Sequence, residues 1–266
     1  MSTRAAGRIA LGASWVAGAL LVLFLALPLV LLVGAGASAL PRMLADAELR
    51  ASLVLTFATA AIATLIAMLT GTAVAYLLAR RAFRARTLLA AVLDLPLLIP
   101  HPVAGIAILL LVSRTTPLGA ALLDLGLRVV GTPAGIVAAM LFVSAPLYVS
   151  AAREALARVD ERYELVARTL GDSPWSAFRR VTLPLARRGL LAAAVATWAR
   201  AVSEFGAVVV LAYNPRVVSV LSYERLTTGG LVDALPVAAV LVLVSLVPLV
   251  LLRVLLHERG VDVVVR

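Results

Sequence analysis

The sequence has no cysteine, no lysine and only two histidines in its 266 residues. The absence of cysteine excludes disulfides, thiol catalysis and thiolate metal sites. His101 and His257 are far apart in the chain, so we predict no metal site. The chain also lacks the GxxxxGK(S/T) loop that holds the phosphates of ATP, and it therefore cannot hydrolyse ATP by itself. Paired carboxylates or a histidine cluster typical of a membrane enzyme are not evident either, so we expect no catalytic activity of its own.

Charged residues are scarce, at 14% of the chain, whereas 63% of the residues are hydrophobic and the mean hydropathy is +1.07. A soluble domain of this size is nearer half apolar, so the composition predicts an integral membrane protein in a lipid bilayer. The net charge of +10 is the excess of 24 basic residues, all of them arginine, over 14 acidic ones. In a soluble chain it would suggest nucleic acid. Here arginines that orient membrane helices explain it better, and we expect no nucleic-acid partner.

Six apolar runs are long enough to cross a bilayer, which takes about 20 residues of helix. Helix is expected because an open chain satisfies its backbone in lipid in no other way. We therefore predict an all-α integral membrane protein with six transmembrane helices, forming one domain over residues 1–266. The predicted spans are Ile9 to Pro41, Ala51 to Ala79, Thr87 to Ser113, Val129 to Ala152, Gly189 to Pro215 and Ala234 to Leu252.

The first run resembles a secretory signal at its two ends. Arg4 and Arg8 precede it, and Ala37-Ser38-Ala39 is similar to a cleavage site. However, the apolar region of a signal is about 7–15 residues long, and this run is much longer. We expect it to be retained as an N-terminal helix over residues 9–41, followed by a core over about 50–256.

Arginine is distributed unequally between the two sides of the predicted spans. With the N-terminus inside, 17 arginines lie in the inner segments and six in the outer loops. Because cytoplasmic loops carry the excess of arginine, we predict a multi-pass protein of the cell membrane with both termini cytoplasmic. The stretch Arg153 to Arg188, with eight of the inner arginines, would then be cytoplasmic.

Residues 153–184 contain signals for two short helices around a turn. Glu161 to Leu170 has no helix breaker, and Gly171 is the residue type found just past a helix end. Asp172 or Ser173 can cap a second helix that starts with a proline. Pro184 is expected to end that helix or to kink the start of the fifth span. An amphipathic hairpin on lipid headgroups and a docking element are equally compatible with these features.

The third predicted span contains three prolines within seven residues, Pro96, Pro100 and Pro102. An undisturbed helix does not accommodate them, so we predict a broken or kinked span that also carries Asp94 and His101. Exposed backbone groups at membrane depth are tolerated inside protein or beside a water-filled path. The break indicates either a packing kink or part of a translocation path.

The fifth predicted span carries Arg200, Ser203 and Glu204. A charge at the bilayer centre costs about 2.5–3.5 kcal/mol on insertion scales. Arg200 and Glu204 are four residues apart and share a helix face, so they can pair and lower that cost. A purely structural pair and a place on the translocation path or at a dimer interface are both open at this point.

The spacing of the cytoplasmic segment resembles the coupling motif of importer-type ABC permeases. That motif reads Glu-Ala-Ala, three residues, Gly, nine residues, Ile, any residue, Leu-Pro. This chain has Leu165-Val166-Ala167, three residues, Gly171, nine residues and Val181-Thr182-Leu183-Pro184. It departs from the motif at Leu165-Val166, and Glu164 lies one position before the usual acid.

In that family the two short helices form a knob that docks in a groove of the ATP-hydrolysing subunit. Leu170, Trp175 and Phe178 are the candidate apolar contacts in that groove, with arginines at its rim. The full set of residues to which the resemblance assigns ATPase coupling is Glu164, Ala167, Arg168, Leu170, Gly171, Trp175, Phe178, Leu183 and Pro184.

Three further stretches narrow the resemblance to permeases for oxyanions. RAVSEFGA, Arg200 to Ala207, is similar to a signature of the molybdate, tungstate and sulfate group. DLPLLIPHPVAG, Asp94 to Gly105, and AYNPRVVSVLSYERL, Ala212 to Leu226, are similar to its tungstate/molybdate branch. Candidate residues of the translocation path or an intramembrane pair are Asp94, Pro100, His101, Arg200, Ser203 and Glu204. Candidate residues for docking a binding protein are Pro215, Tyr223, Glu224 and Arg225.

The resemblance implies a homodimer of this subunit with two copies of an ABC ATPase and one extracytoplasmic oxyanion-binding protein. ATP and Mg²⁺ would bind the ATPase partner, and this chain would hold no cofactor. A sulfate-importing ABC permease is the alternative within the group. An ion-coupled secondary transporter is the alternative from another class, but such transporters often have broken helices in both halves of a repeat. The sequence shows one proline-broken span and no matching repeat.

Overall fold

The structure is a computed structural model that describes residues 3–257, with side chains from residue 14 to residue 254 except residue 44. The described residues form helices and short connections, with no strand among them. The ends of the predicted domain, residues 1–2 and 258–266, lie outside the described residues. The α-helices are α1 Thr3–Gly36, α2 Leu40–Ala45, α3 Ala47–Arg80, α4 Arg86–Leu98, α5 His101–Val112, α6 Pro117–Asp124, α7 Pro133–Ala157, α8 Glu161–Thr169, α9 Pro174–Ala177, α10 Leu183–Val202, α11 Gly206–Leu211 and α12 Val218–His257.

Four of the described helices, α1, α3, α7 and α12, are long and apolar enough to cross a membrane. α4 and α5 make a fifth span if they are taken together, although their axes are bent by 114°. The bend lies at Ile99 and Pro100, where the prolines predicted it. The prediction of an all-α, multi-pass membrane protein is confirmed.

The fifth predicted span, Gly189 to Pro215, is not one helix. α10 ends at Val202, and the six-residue α11 begins only at Gly206. α10 also carries three arginines within its 20 residues, and neither helix is among the described helices that qualify as spans. The structure therefore supports four or five spans by length and hydropathy, and the sixth is not confirmed.

Small residues let α7 pack closely between α3 and α10 in the core. On α3 the fully buried positions include Ala60, Ala63 and Ala67. A Cβ atom at Gly71 would lie 2.9 Å from the Tyr148 ring of α7. Lipid gives helices no hydrophobic reason to associate, so close backbone approach supplies much of the packing energy.

α5 and α11, the short helices that follow the two breaks, pack against each other side by side. A Cβ atom at Gly206 would lie 2.8 Å from Cβ of His101, and one at Gly105 would lie 2.8 Å from the carbonyl oxygen of Ala207. The later residue of α5 contacts the later residue of α11, so the two helices run in the same direction. Glycine at these positions brings the two breaks together.

α12 is interrupted at Gly230, where φ is 77° and ψ is −167°. Glycine adopts this positive φ without the steric cost that a Cβ atom brings. α1 packs on the second part of α12, because a Cβ atom at Gly36 would lie 2.7 Å from Cβ of Ala239. From Ser14 onward, the side chains of α1 are otherwise mostly exposed.

Replacing Gly105 with leucine should lower the thermal unfolding midpoint measured in detergent. The added side chain must push α11 away from α5, and overpacking of this kind costs about 1–3 kcal/mol. Gly34→Leu is the matched control, because nothing lies within 4 Å of a Cβ atom at that helical glycine. Equal midpoints for the two variants would contradict the close packing of α5 and α11.

Candidate coupling and translocation sites

We call residues 153–184 the coupling segment, since they contain the stretch that resembles the coupling motif. Its first short helix is α8, whose first turn is capped by Asp160. Its carboxylate accepts a hydrogen bond of 2.9 Å from the backbone of Arg162. α8 ends at Thr169, and Gly171, two residues further on, has a φ of 100°. The backbone N–H groups of Gly171 and Asp172 then donate to the carbonyl oxygens of Arg168 and Ala167, each at 3.1 Å. This closes the helix end as the sequence predicted.

Gly171 is required by the conformation of its backbone and not by a lack of space. A Cβ atom there would have no neighbour within 4 Å. The positive φ alone favours glycine, because other L residues pay a steric cost in this region.

Ser173 caps the second short helix by accepting a hydrogen bond of 3.2 Å from the backbone of Ser176. Asp172, the alternative cap, instead accepts from the Ser176 hydroxyl at 2.6 Å and pairs with Arg180 at 3.2 Å. α9 continues through a π turn, Phe178–Thr182, into α10. The chain therefore leaves the coupling segment as one continuous helix.

Pro184 neither ends the second helix nor begins a new segment. It lies in the first turn of α10, where proline is tolerated. Just before it, the backbone N–H of Leu183 donates to the carbonyl oxygen of Phe178, five residues back. The prediction that Pro184 ends the second helix is wrong, because helix continues from α9 through the π turn into α10. The π turn changes the hydrogen-bond register ahead of the proline.

Glu164 fixes the coupling segment to α3. It accepts hydrogen bonds from the Tyr76 hydroxyl at 2.8 Å, from Arg80 Nε at 3.2 Å and from the Thr182 hydroxyl. The Arg80 and Glu164 side chains are only 6% and 12% exposed. Arg80 also donates to the carbonyl oxygen of Val159 at 2.8 Å. One carboxylate thus joins α3, α8 and the π turn.

The Glu164 carboxylate is held in its charged form. Burial by itself raises its pKa, but the hydrogen bonds from Thr182 and Tyr76 and the charge of Arg80 together outweigh burial. The net result is a pKa below the ordinary value of a glutamate. The shifted acid of the motif therefore faces inward, whereas Leu165 and Val166, which occupy the usual positions, are exposed.

An apolar surface covers the outside of the coupling segment. We call Leu165, Leu170 and Trp175 the coupling surface; Leu170 is 83% exposed and Trp175 is 67% exposed. Phe178, predicted as a third groove contact, is buried instead. Its ring packs edge-on against Tyr76 with a centroid distance of 4.8 Å and stacks on Trp175 at 5.6 Å. It supports Trp175 from behind.

Arg200, His101 and Glu204 meet where the two broken spans touch. Arg200 Nη2 lies 2.6 Å from His101 Nε2 and 2.9 Å from Glu204 Oε2, and Nη1 lies 3.3 Å from the Ser203 hydroxyl. Glu204 is 1% exposed. Its second oxygen accepts from the backbone of Ala207 at 2.9 Å, which caps α11. The predicted Arg200–Glu204 pair is therefore present, and it ties the two breaks together.

Asp94 and Pro100 are the other two predicted path residues. Asp94 is exposed on α4, and Pro100 is the residue that precedes α5 at the bend. The sequence showed only one break, whereas the structure has a second at Ser203–Phe205. No proline marks the second break. The stabilising contacts are Glu204 at the start of α11 and the Ser219 hydroxyl, which donates to the carbonyl oxygen of Glu204 at 2.9 Å.

Charged residues link the start of α12 to the start of α3. Arg225 lies 2.7 Å from Glu48 and 3.3 Å from Asp46, and Arg216 pairs with both Glu48 and Glu224. Glu224 and Arg225, predicted to dock a partner, thus have ion-pair partners within the chain. Asp46 and Glu48 were not predicted as partners of these arginines. Asp46 also caps α3 by accepting from the backbone of Glu48 at 2.8 Å.

The other two docking candidates are more accessible. Pro215 is exposed and follows a cis peptide bond from Asn214. Tyr223 is 46% exposed, and its ring lies 5.0 Å from that of Phe205 beside the second break. The Phe205 ring therefore lies between Tyr223 and the second break, where Glu204 is located.

Comparison with known proteins identifies the family. The family model described as "Binding-protein-dependent transport system inner membrane component" matches residues 67–259, well over half of the chain. The chain belongs to this family. It is a permease, a transport component that is not itself catalytic.

Several relatives of this permease carry names that specify a cargo. A Thermococcus kodakarensis protein named molybdate/tungstate transport system permease protein WtpB is 41% identical over 202 residues, 76% of each chain. Its Pyrococcus furiosus namesake is 40% identical over 239 residues, 89% of this chain and 91% of the relative. A Synechocystis protein named sulfate transport system permease protein CysT is 33% identical over 204 residues, 75% of this chain and 71% of the relative.

Solved structures share the fold of the permease at low sequence identity. A chain of a bacterial ABC transporter that imports alginate has a TM-score of 0.71 at 16% identity, covering 96% of both chains. A chain of the MetNI methionine ABC transporter has a TM-score of 0.61 at 16% identity, covering 78% of this chain and 95% of that one. At such identities the likeness establishes the fold alone.

Replacing Glu164 with glutamine should destabilise the permease at neutral pH. The change removes charge-assisted hydrogen bonds to nearly buried groups, which are worth about 1.5–3 kcal/mol. The folded pKa lies below the unfolded value of about 4.3, so the stabilisation is complete above that pH and is lost as the pH falls through the folded pKa. The measurement is the thermal unfolding midpoint in detergent over a range of pH.

The gap between wild type and Glu164→Gln should therefore shrink in acid. Glu154→Gln is the matched control, since Glu154 is exposed on α7 and no ion pair of its side chain occurs within the described residues. A gap that stays constant down to acidic pH would show that the ionised carboxylate is not the source of the stabilisation.

Proposed function

We propose that this permease is the transmembrane subunit of an ATP-driven importer for tungstate and molybdate. The choice of cargo rests on one observation. The chain is about 40% identical to relatives named for molybdate and tungstate transport. The chain would form the translocation path and connect it to a separate ATPase. A sulfate importer is the second candidate, supported by the more distant relative named for sulfate.

The coupling surface supports docking to the ATPase subunit. Leu170 and Trp175 are large apolar residues that are mostly exposed, yet the helices beneath them are fixed by Glu164, Arg80 and the Gly171 turn. An apolar knob that is already rigid loses little conformational entropy when it binds. Most of the contact energy with a partner's groove therefore remains as binding free energy. The arginines around it would pair with carboxylates at the groove rim.

The junction of the two broken spans supports a translocation path there. Arg200 and His101 present donor groups of the kind that bind a tetrahedral dianion, and both side chains are partly exposed. The Ser203 hydroxyl beside them donates to the carbonyl oxygen of Arg200 at 3.0 Å. Glu204 neutralises one edge of the guanidinium. The net attraction is therefore weak, as a path requires if the anion is to leave again. Selectivity would lie in a separate binding protein.

The assembly would contain a second copy of this chain, two ABC ATPase subunits that bind ATP and Mg²⁺, and one extracytoplasmic binding protein. α10 and α11 together would complete a sixth span, with both termini in the cytoplasm as the arginine distribution predicts. Pro215 and Tyr223 would contact the binding protein, while Glu224 and Arg225 hold the start of α12 against α3.

Uptake into proteoliposomes distinguishes the two cargoes. The permease is reconstituted with its ATPase, ATP is enclosed, and the binding protein is added outside with labelled tungstate. We expect ATP-dependent uptake that excess molybdate suppresses and excess sulfate leaves nearly unchanged. Uptake of labelled sulfate that tungstate does not suppress would instead favour the sulfate importer. Uptake without the ATPase would contradict the ABC mechanism altogether.

Replacing Gly171 with valine should uncouple ATP hydrolysis from transport. A β-branched residue at its φ of 100° is strained, and the left-handed region costs about 1–2 kcal/mol per non-glycine residue. The turn then opens and the coupling surface shifts, so we expect uptake to fall about tenfold, as for a hot-spot loss near 1.4 kcal/mol. Hydrolysis by the ATPase would continue without matching uptake.

Gly126→Val is the matched control for backbone strain. Gly126 has a φ of 75°, and like Gly171 it has nothing within 4 Å of a Cβ atom. It lies after α6, away from the coupling segment, so its variant should retain most of the wild-type uptake. Wild-type uptake by Gly171→Val would mean that this segment does not couple the permease to its ATPase.

A further inference from the structure

A groove of about 450 Å³ lies between the C-terminal part of α3 and the coupling segment. Leu69, Ala73 and Leu77 line it from α3, and Arg81 lies where α3 ends. Trp175 and Phe178 line it from the opposite side. It is separate from the junction of the two breaks, and it shares only Trp175 with the coupling surface.

The polar atoms along the groove already have partners. The Thr72 hydroxyl bonds to the Met68 carbonyl oxygen at 2.6 Å and lies 2.8 Å from the Tyr148 hydroxyl. The Tyr76 hydroxyl donates to Glu164 at 2.8 Å. What the groove offers a ligand is therefore an apolar interior. A polar ligand group would find its partner only at the end that carries Arg81.

Arg81 differs from its neighbour Arg80 in having no compensating charge. Arg80 is buried and pairs with Glu164 and Glu161. Arg81 is exposed, and no carboxylate forms an ion pair with it in the part of the chain that the structure describes. The groove thus ends at a full positive charge that can receive an anion.

The length of the groove corresponds to one leaflet of a bilayer. From Leu69 to Arg81 the chain rises about 18 Å at 1.5 Å per residue. Half of the hydrocarbon core of a bilayer is about 15 Å thick. Leu69 also continues an exposed apolar strip of the spanning helix α3 that includes Ile62 and Leu65. The groove therefore opens towards the membrane interior and reaches the headgroup level at Arg81.

We propose that an anionic glycerophospholipid occupies this groove, with an acyl chain along Leu69, Ala73 and Leu77 and its phosphate on Arg81. Cytoplasmic leaflets carry anionic lipids that attract arginines, and tryptophan is favoured at the same interface. Trp175 lines the groove and belongs to the coupling surface, so the bound lipid braces a residue that contacts the ATPase. The leaflet and the link to coupling rest on the proposed function.

Lipid binding is measured by native mass spectrometry on the full-length chain in a neutral detergent. The probes are dioleoylphosphatidylglycerol and dioleoylphosphatidylcholine, titrated separately. Wild type should bind the anionic lipid more tightly than the zwitterionic one. Arg81→Gln should weaken phosphatidylglycerol binding about fivefold, the effect of one basic residue at an anionic surface. Ala73→Phe should abolish it by filling the groove while leaving the charge in place.

Two matched variants separate this site from general attraction. Arg84→Gln removes a neighbouring charge that does not line the groove, and Ala58→Phe enlarges an exposed α3 position outside it. Both should bind as wild type does. Equal loss in Arg81→Gln and Arg84→Gln would overturn the proposal, as would unchanged binding in Ala73→Phe. A change of oligomeric mass in Ala73→Phe would overturn it too, by making the groove a protein interface.

The binding measurement needs neither ATP nor cargo, so it can succeed or fail independently of the uptake experiment. In vesicles, phosphatidylglycerol should raise ATP-dependent uptake in wild type and have no effect on Ala73→Phe. Lipid binding without that stimulation would retain the site and remove its role in coupling.

Discussion

The buried ion pair between Arg80 and Glu164 is the interaction on which the coupling surface depends. Two charges at the end of a membrane helix are costly to bury unless each is fully partnered. Here the carboxylate has three donors, and the guanidinium also has a backbone carbonyl. The arrangement fixes the positions of α8 and α9, whose apolar residues are exposed.

A similar device operates at the other end of α10. Glu204 caps α11 and pairs with Arg200, which in turn contacts His101 at the start of α5. α10 is thus fastened by a carboxylate near each end, once to α3 and once to the neighbouring broken span. With 20 residues it is about 30 Å long. It runs from the coupling segment to the junction of the breaks.

Local signals predicted the parts of the molecule that local chemistry decides. Gly171 ends α8, a residue before Pro174 caps α9, and the prolines around Pro100 break the third span. The contacts that were missed join residues far apart in sequence, such as Tyr76 with Glu164 and Glu48 with Arg225. No spacing rule indicates them. The second break was not predicted because no proline marks it. The buried carboxylate of Glu204 lies there instead.

The π turn between α9 and α10 has a consequence for how motion passes along this connection. A π turn uses more residues per turn than an α-helix, so converting Phe178–Thr182 to regular α-helix would rotate α10 relative to α9 by about a quarter turn. The same conversion would swing the Arg200 face of α10 away from His101. A change of hydrogen-bond register over five residues would thus rotate α10 and separate Arg200, near its C-terminal end, from His101.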